Sequence, residues 1–170
     1  SAIAAIASER GILCGCDNTF CSPMLQQPLQ MGFDFVMHSG TKYLGGHSDV
    51  VGGFLVAGTA ALAEQMRFHQ NSIGSVLGPF DSYLMLRGMK TLAIRMQQHS
   101  RSSQMIAEHL ENARGICRVI YPGLPSHPQH ELAARQMRLD AAPAGGGMIT
   151  VVLDTDLAGT RRFLEALPVF

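Results

Sequence analysis

VMHSGTKYLGGHSD, residues 36–49, decides how this chain is read. It contains Lys42, one of only two lysines among thirteen basic residues; Lys90 is the other and the rest are arginine. Arginine stays protonated in a protein, whereas a lysine amine can lose its proton and condense with a carbonyl. A chain that uses arginine for ordinary positive charge and places a lysine here points to an amine with chemistry to do. The residues just before it support that reading. Ser39 and Thr41 alternate along an extended strand end and so face one side, where two hydroxyls can donate to a phosphate. Gly40 between them lets a ligand approach the backbone closely.

DFVMHSG (34–40) reads as a buried strand. ILCGC (12–16) and VVGGFLVAG (50–58) have the same short apolar character between turn residues. Helical pieces precede the first two strands, one over 2–9 closed by Gly11 and one ending near Gly32. This alternation predicts an α/β fold with a mostly parallel sheet. Ligands of such sheets bind outside the carboxyl ends of the strands. The first strand ends in Asp17-Asn18-Thr19 and the second in Ser39-Gly40-Thr41-Lys42. An acid, hydroxyls and the rare lysine are therefore expected around one crevice.

Farther along, a helix is expected over 59–71 and a long helical stretch over 81–112. The polar middle of that stretch, MQQHSRSSQ, suits a helix crossing between two domains. GICRVIYPG (115–123) and GGGMITVVLDTD (145–156) read as strands, with helices in PSHPQHELAARQM and LAGTRRFLEAL. AAPAGGG (141–147) is expected to be a flexible loop. The division is 1–95 for the end of a larger domain, and 96–170 for a linker helix with part of a small α+β domain. Ser1 opens inside a helical pattern and a strand is expected to begin near Phe170, so the chain is expected to be a piece of something longer.

Composition removes several function classes. The 170 residues are 46% hydrophobic, with thirteen acids against thirteen bases. That balance gives no electrostatic reason to expect nucleic acid or an anionic membrane as partner. No apolar run approaches the roughly 20 residues needed to span a bilayer, and the first residues lack the pattern of a signal peptide. Four cysteines and ten methionines point to a reducing compartment and a cytoplasmic setting.

Pyridoxal 5'-phosphate needs this set of groups: a lysine amine for its aldehyde, hydroxyls and amides for its phosphate, and a carboxylate for its ring nitrogen. The residues also carry a resemblance. DNTFCSPMLQQPLQMGFDFVMHSGTKYLGGHSDVVGG (17–53) resembles the pyridoxal-phosphate core of the cystathionine γ-synthase and γ-lyase family. The likeness continues through GPFDSYLMLRGMKTLAIRMQQH and IYPGLPSHPQHELAARQM to GGGMITVVL and RRFLEAL. It implies fold type I, the aspartate aminotransferase-like architecture, and a homotetramer built as a dimer of dimers. By the same resemblance Lys42 is the Schiff-base and catalytic lysine, and Asp17 pairs with the pyridine nitrogen. Ser39 and Thr41 hold the phosphate, and Thr19 lines the cofactor pocket.

The implied activity is trans-sulfuration on a small amino-acid substrate in cysteine and methionine metabolism. It would be γ-elimination or γ-replacement by a lyase or transferase of the cystathionine type. Methionine γ-lyase, O-acylhomoserine sulfhydrylase and a non-catalytic fragment of this fold are the alternatives. Gly40 departs from the alanine commoner in the family and is expected to loosen the turn slightly. Other chemistries fit less well. GTKYLGG lacks the order of a nucleotide-binding loop. Cys14, Cys16, Cys21 and His38 lack paired zinc-ligand spacing, and the cysteines read as core residues. Lys90 reads as a surface residue, and His127 and His130, in a Pro-rich turn, read as surface or interface residues.

Overall fold

The computed structural model describes residues 1–169, so the strand expected to begin near Phe170 lies outside the described residues. The order is α1 (Ala2–Glu9), β1 (Gly15–Asp17), α2 (Ser22–Leu25), a 3-10 turn (Pro28–Met31), β2 (Phe35–Ser39), a π-helical turn (Gly40–Leu44) and β3 (Gly53–Ala57). Then follow α3 (Ala60–Ile73), α4 (Pro79–Met89), α5 (Leu92–Glu111), β4 (Ile116–Ile120), α6 (His130–Gln136), β5 (Arg138–Leu139), β6 (Ala142–Pro143), β7 (Thr150–Leu153) and α7 (Leu157–Glu165). The chain is α/β, as its alternating pattern predicts.

Strands β1, β2 and β3 form a sheet in that order. β1 lies parallel to β2, with Asp17 opposite Met37. β3 runs antiparallel to β2, with Ser39 opposite Gly53. The expectation of a mostly parallel sheet is corrected for these residues, since one pairing of the two is antiparallel. The cause is local. The chain leaves β2 through the π-helical turn and comes straight back, with the Gly40 and Thr41 amides both donating to the Gly52 carbonyl at 2.8 and 3.2 Å. A return without a crossover can only give an antiparallel neighbour.

Strand β2 is pleated in the ordinary way, burying Val36 and His38 and leaving Phe35, Met37 and Ser39 half-buried. Leu25, Leu44, Leu92 and Met96 form one core cluster, with Tyr43 and Met89 packed against it. Met96 is fully buried, and side chains of this kind each contribute roughly 1.5–3 kcal/mol on leaving water. The cluster ties the turn after β2 to the start of α5. The expected long helix divides into α4 and α5 at Lys90-Thr91, where the Thr91 hydroxyl and amide both donate to the Gly88 carbonyl.

Helix α5 runs through the expected 95/96 boundary to a second, antiparallel sheet of β4 and β7. Ala107, Tyr121 and Leu124 form the core there. The polar middle of α5 is packed on one face rather than solvated all round, because Ser100 and Ser103 are buried. Residues 141–147 are likewise not the loose loop the composition suggests. Ala142–Pro143 pair with β5, Gly145 and Gly146 are buried, and the Tyr121 hydroxyl donates to the Gly146 carbonyl at 2.9 Å. A Cβ on Gly145 would stand 2.5 Å from the Tyr121 ring, so the glycines let backbone pack directly on that tyrosine.

Candidate functional site

The site is built where β1 and β2 end side by side. Thr19 links them. Its amide donates to the Asp17 carboxylate at 2.9 Å, and its hydroxyl accepts the Ser39 amide hydrogen at 2.8 Å. Thr19 is buried, while the Asp17 carboxylate is exposed. The Thr19 side chain, then its amide, hold the Asp17 pKa below the ordinary aspartate value, with a smaller contribution from His38. Hydrogen bonds to the charged form have that effect. Asp17 is thus an ionised carboxylate at neutral pH.

The turn after β2 carries the lysine. Its amides close back on it, Gly45 to the Gly40 carbonyl at 2.7 Å and Gly46 to the Lys42 carbonyl at 2.8 Å. Lys42 itself leaves the helical path, with φ −89° and ψ −122°. The Thr41 hydroxyl accepts from the Gly52 amide at 3.1 Å, and its own donation to the Gly52 carbonyl is long, at 3.4 Å. Its hydrogen can therefore turn toward a better acceptor.

Thr41 and the exposed Lys42 lie on the wall of a cavity of about 820 Å³. Phe20, Tyr43, Asp49, Arg95, His99 and Met148 also line it. Asp17, Thr19 and Ser39 do not line that wall; they stand at the neighbouring strand ends, joined through Thr19. The five residues singled out in the sequence are therefore brought to one edge of the sheet, and two of them reach the cavity itself. Lys90 is exposed and not on its wall.

Arg95, Tyr43 and His99 were missed by motif reasoning. Tyr43 and His99 face one another with ring centroids 5.6 Å apart, and the adjacency of Tyr43 to Lys42 was the available signal. Arg95 and His99, one helical turn apart on α5, share the face that packs on the lysine turn; their i, i+4 spacing alone does not tell which face that is.

His38 is buried on the opposite side of the pleat, and its Nδ1 has no hydrogen-bond partner among the described residues. Asn18, the neighbour of Asp17, likewise has an unpartnered Oδ1. Both line a second cavity of about 320 Å³ with Gln26, Gln30, Val36 and Val56. Burial pushes the His38 pKa down, and Asp17 only partly opposes this. The cysteines expected in the core are half-buried at positions 14, 16 and 21, and Cys117 is exposed. Burial lifts the Cys21 thiol to about 11. His127 and His130, expected at the surface or an interface, are half-buried in the turn before α6. His127 Nδ1 accepts the Gln129 amide there, and His130 Nδ1 lies 3.0 Å from the Pro122 carbonyl.

Comparison with known proteins bears on the whole chain. The family described as Cys/Met metabolism PLP-dependent enzyme matches residues 1–170. A cystathionine beta-lyase of Coxiella burnetii is 51% identical over 169 residues, covering 99% of this chain and 42% of its own length. A cystathionine gamma-synthase of Mycobacterium bovis is 54% identical over 151 residues, covering 89% of this chain and 38% of its own. The crystal structure of cystathionine gamma synthase from Xanthomonas oryzae pv. oryzae, in complex with aminoacrylate and cysteine, superposes with a TM-score of 0.93 at 42% identity. It covers 99% of this chain, which spans 42% of that structure. The chain thus spans about two fifths of the length of the relatives it matches.

Proposed function

The chain belongs to the Cys/Met metabolism PLP-dependent enzyme family, and from that premise we propose that the protein carrying it is a pyridoxal-phosphate-dependent trans-sulfuration enzyme. Its substrates are cystathionine or the amino acids that form it. Relatives named beta-lyase and gamma-synthase both stand above 50% identity, so elimination at the β carbon joins γ-elimination and γ-replacement in this reading. The fold is that of type I, divided into a cofactor domain carrying β1–β3 and a small domain carrying β4 and β7, and the assembly is a homotetramer acting in the cytoplasm.

The residues present fit pyridoxal phosphate. The supporting observation is the pairing of two chemistries at one sheet edge: an amine open to a large cavity, and a carboxylate held ionised by Thr19. Lys42 would hold the aldehyde carbon, Asp17 the proton on the ring nitrogen, and Ser39 and Thr41 the phosphate. The cofactor, when bound, supplies an electron sink for the charge left at the substrate Cα.

The chain's own residues do the rest. The Lys42 amine, once released, takes the Cα proton and can return it farther along the substrate. Its exposure to the cavity and its departure from the helical path leave the Nζ free to move between those positions. Asp17 is ionised at neutral pH and Thr19 lowers its pKa further, which favours a proton on the ring nitrogen. Thr41 orients its hydroxyl from a backbone anchor at Gly52 rather than from a mobile side chain.

The test is turnover by the full polypeptide. The reading expects a thiol or a keto acid to be released from cystathionine, or cystathionine to form from an activated homoserine and cysteine. Lys42→Ala should abolish both. A cofactor-loaded protein inert toward all of these substrates would overturn the assignment.

A further inference from the structure

Arg95 lines the cavity, yet its donors turn away from it into the backbone. Nη1 donates to the Tyr43 carbonyl at 2.7 Å, Nη2 to the Gly88 carbonyl at 2.9 Å, and Nε to the Thr91 hydroxyl at 3.0 Å. None of these partners is charged, so the guanidinium fixes main chain rather than pairing charge. Its partial burial lowers its pKa, and the three hydrogen bonds offset that cost of desolvating the cation.

The three partners belong to two segments that meet nowhere else in sequence. Tyr43 follows Lys42 in the π-helical turn, whereas Gly88 and Thr91 form the junction of α4 and α5. The fit between the segments is close: a Cβ on Gly88 would overlap the Gly45 carbonyl, and one on Gly46 would overlap the Arg95 guanidinium. The Lys42 and Gly40 carbonyls are already taken by amides within the turn. The Tyr43 carbonyl is taken by Arg95. This hydrogen bond, beside the packing of Leu44 on Leu92 and Met96, ties the peptide next to the amine to the helical layer.

Resting on the reading of Lys42 as the cofactor-bearing amine, we propose that Arg95 is a positioning residue for Lys42. It clamps the Tyr43 carbonyl to the α4–α5 junction and so sets where the neighbouring amine stands in the cavity. A lysine at this position has its three donors on one nitrogen and cannot reproduce the planar fork that reaches three separate acceptors.

The test uses the full polypeptide loaded with equal, sub-saturating pyridoxal phosphate, as wild type, Arg95→Met and Arg95→Lys. The readouts are the fraction of chains with cofactor fixed to residue 42 after borohydride, the pH titration of the bound cofactor's visible band, and far-UV circular dichroism. The Met variant keeps the alkyl packing and should retain its secondary structure. Its trapped fraction should fall roughly tenfold with the loss of charge-assisted hydrogen bonds, with a shifted titration midpoint, and Arg95→Lys should lie between. Trapping and titration equal to wild type in the folded Met variant would overturn the inference. Where that variant does not fold, the Lys variant decides by the same criterion. A wild-type protein with no adduct at position 42 would instead overturn the underlying reading of the lysine.

Discussion

The Thr19 hydroxyl accepts the Ser39 amide hydrogen at 2.8 Å, across the gap between two parallel strands. Because the same residue donates to Asp17, one buried threonine both links the strand ends and lowers the pKa of the acid beside them. Thr19→Val keeps the shape but leaves the Ser39 amide unpaired, a loss of about 1–3 kcal/mol. The Asp17 pKa should rise toward its ordinary value at the same time. Chemical denaturation and a carboxylate titration by NMR check the two halves separately. A stable valine variant with an unchanged Asp17 titration would contradict this role.

Stability should also fall with acid in a window set by His38. Its pKa is depressed by burial, so the unfolded chain binds a proton more readily than the folded one. The contribution is fully present above the ordinary histidine value of about 6.5 and is lost as pH falls from there through the depressed folded value. Asp17 acts with the same sign but only below its ordinary value of about 3.9, outside this window. Melting curves between pH 7 and pH 5 should therefore show a decline that His38→Gln reduces. A variant that declines as steeply as wild type would contradict the assignment to His38.

Gly40 is matched to Met85 rather than simply loosened. A Cβ at Gly40 would stand 2.6 Å from Met85 Cε and 2.9 Å from Sδ, and Met85 is buried. The methionine occupies the room an alanine would need. Gly40→Ala should destabilise by about 1–3 kcal/mol through overpacking. Met85→Ala should cost about 2–5 kcal/mol through the cavity it leaves, and the double variant less than the sum of the two. Strict additivity in denaturant melts would show that the two positions do not share the space.

The residues proposed to carry chemistry were legible because they are local in sequence and rare in type. One lysine in an HSGT setting, and an acid ending a short apolar strand, can be read without coordinates. The sheet's direction was less so. The pattern of 50–58 marks a third strand without giving its direction, and only the bonds from Gly40 and Thr41 to Gly52 show the chain returning antiparallel. The 141–147 segment misled for the opposite reason. Its glycines signal freedom in sequence, but here they allow close contact with Tyr121, 25 positions before Gly146. Arg95 was invisible because its partners are backbone carbonyls from a turn 52 positions earlier, and no side-chain pattern records such a bond.

The central claim is that Lys42, and not Lys90, is the amine that carries the cofactor. Incubating the full polypeptide with pyridoxal phosphate, reducing with borohydride and mapping the peptides tests it most directly. The pyridoxyl mass should lie on the peptide containing GTKYLGG, with residue 90 unmodified and the adduct gone in Lys42→Ala. A label on Lys90, or on no lysine of this chain in a protein that binds the cofactor, would contradict the account.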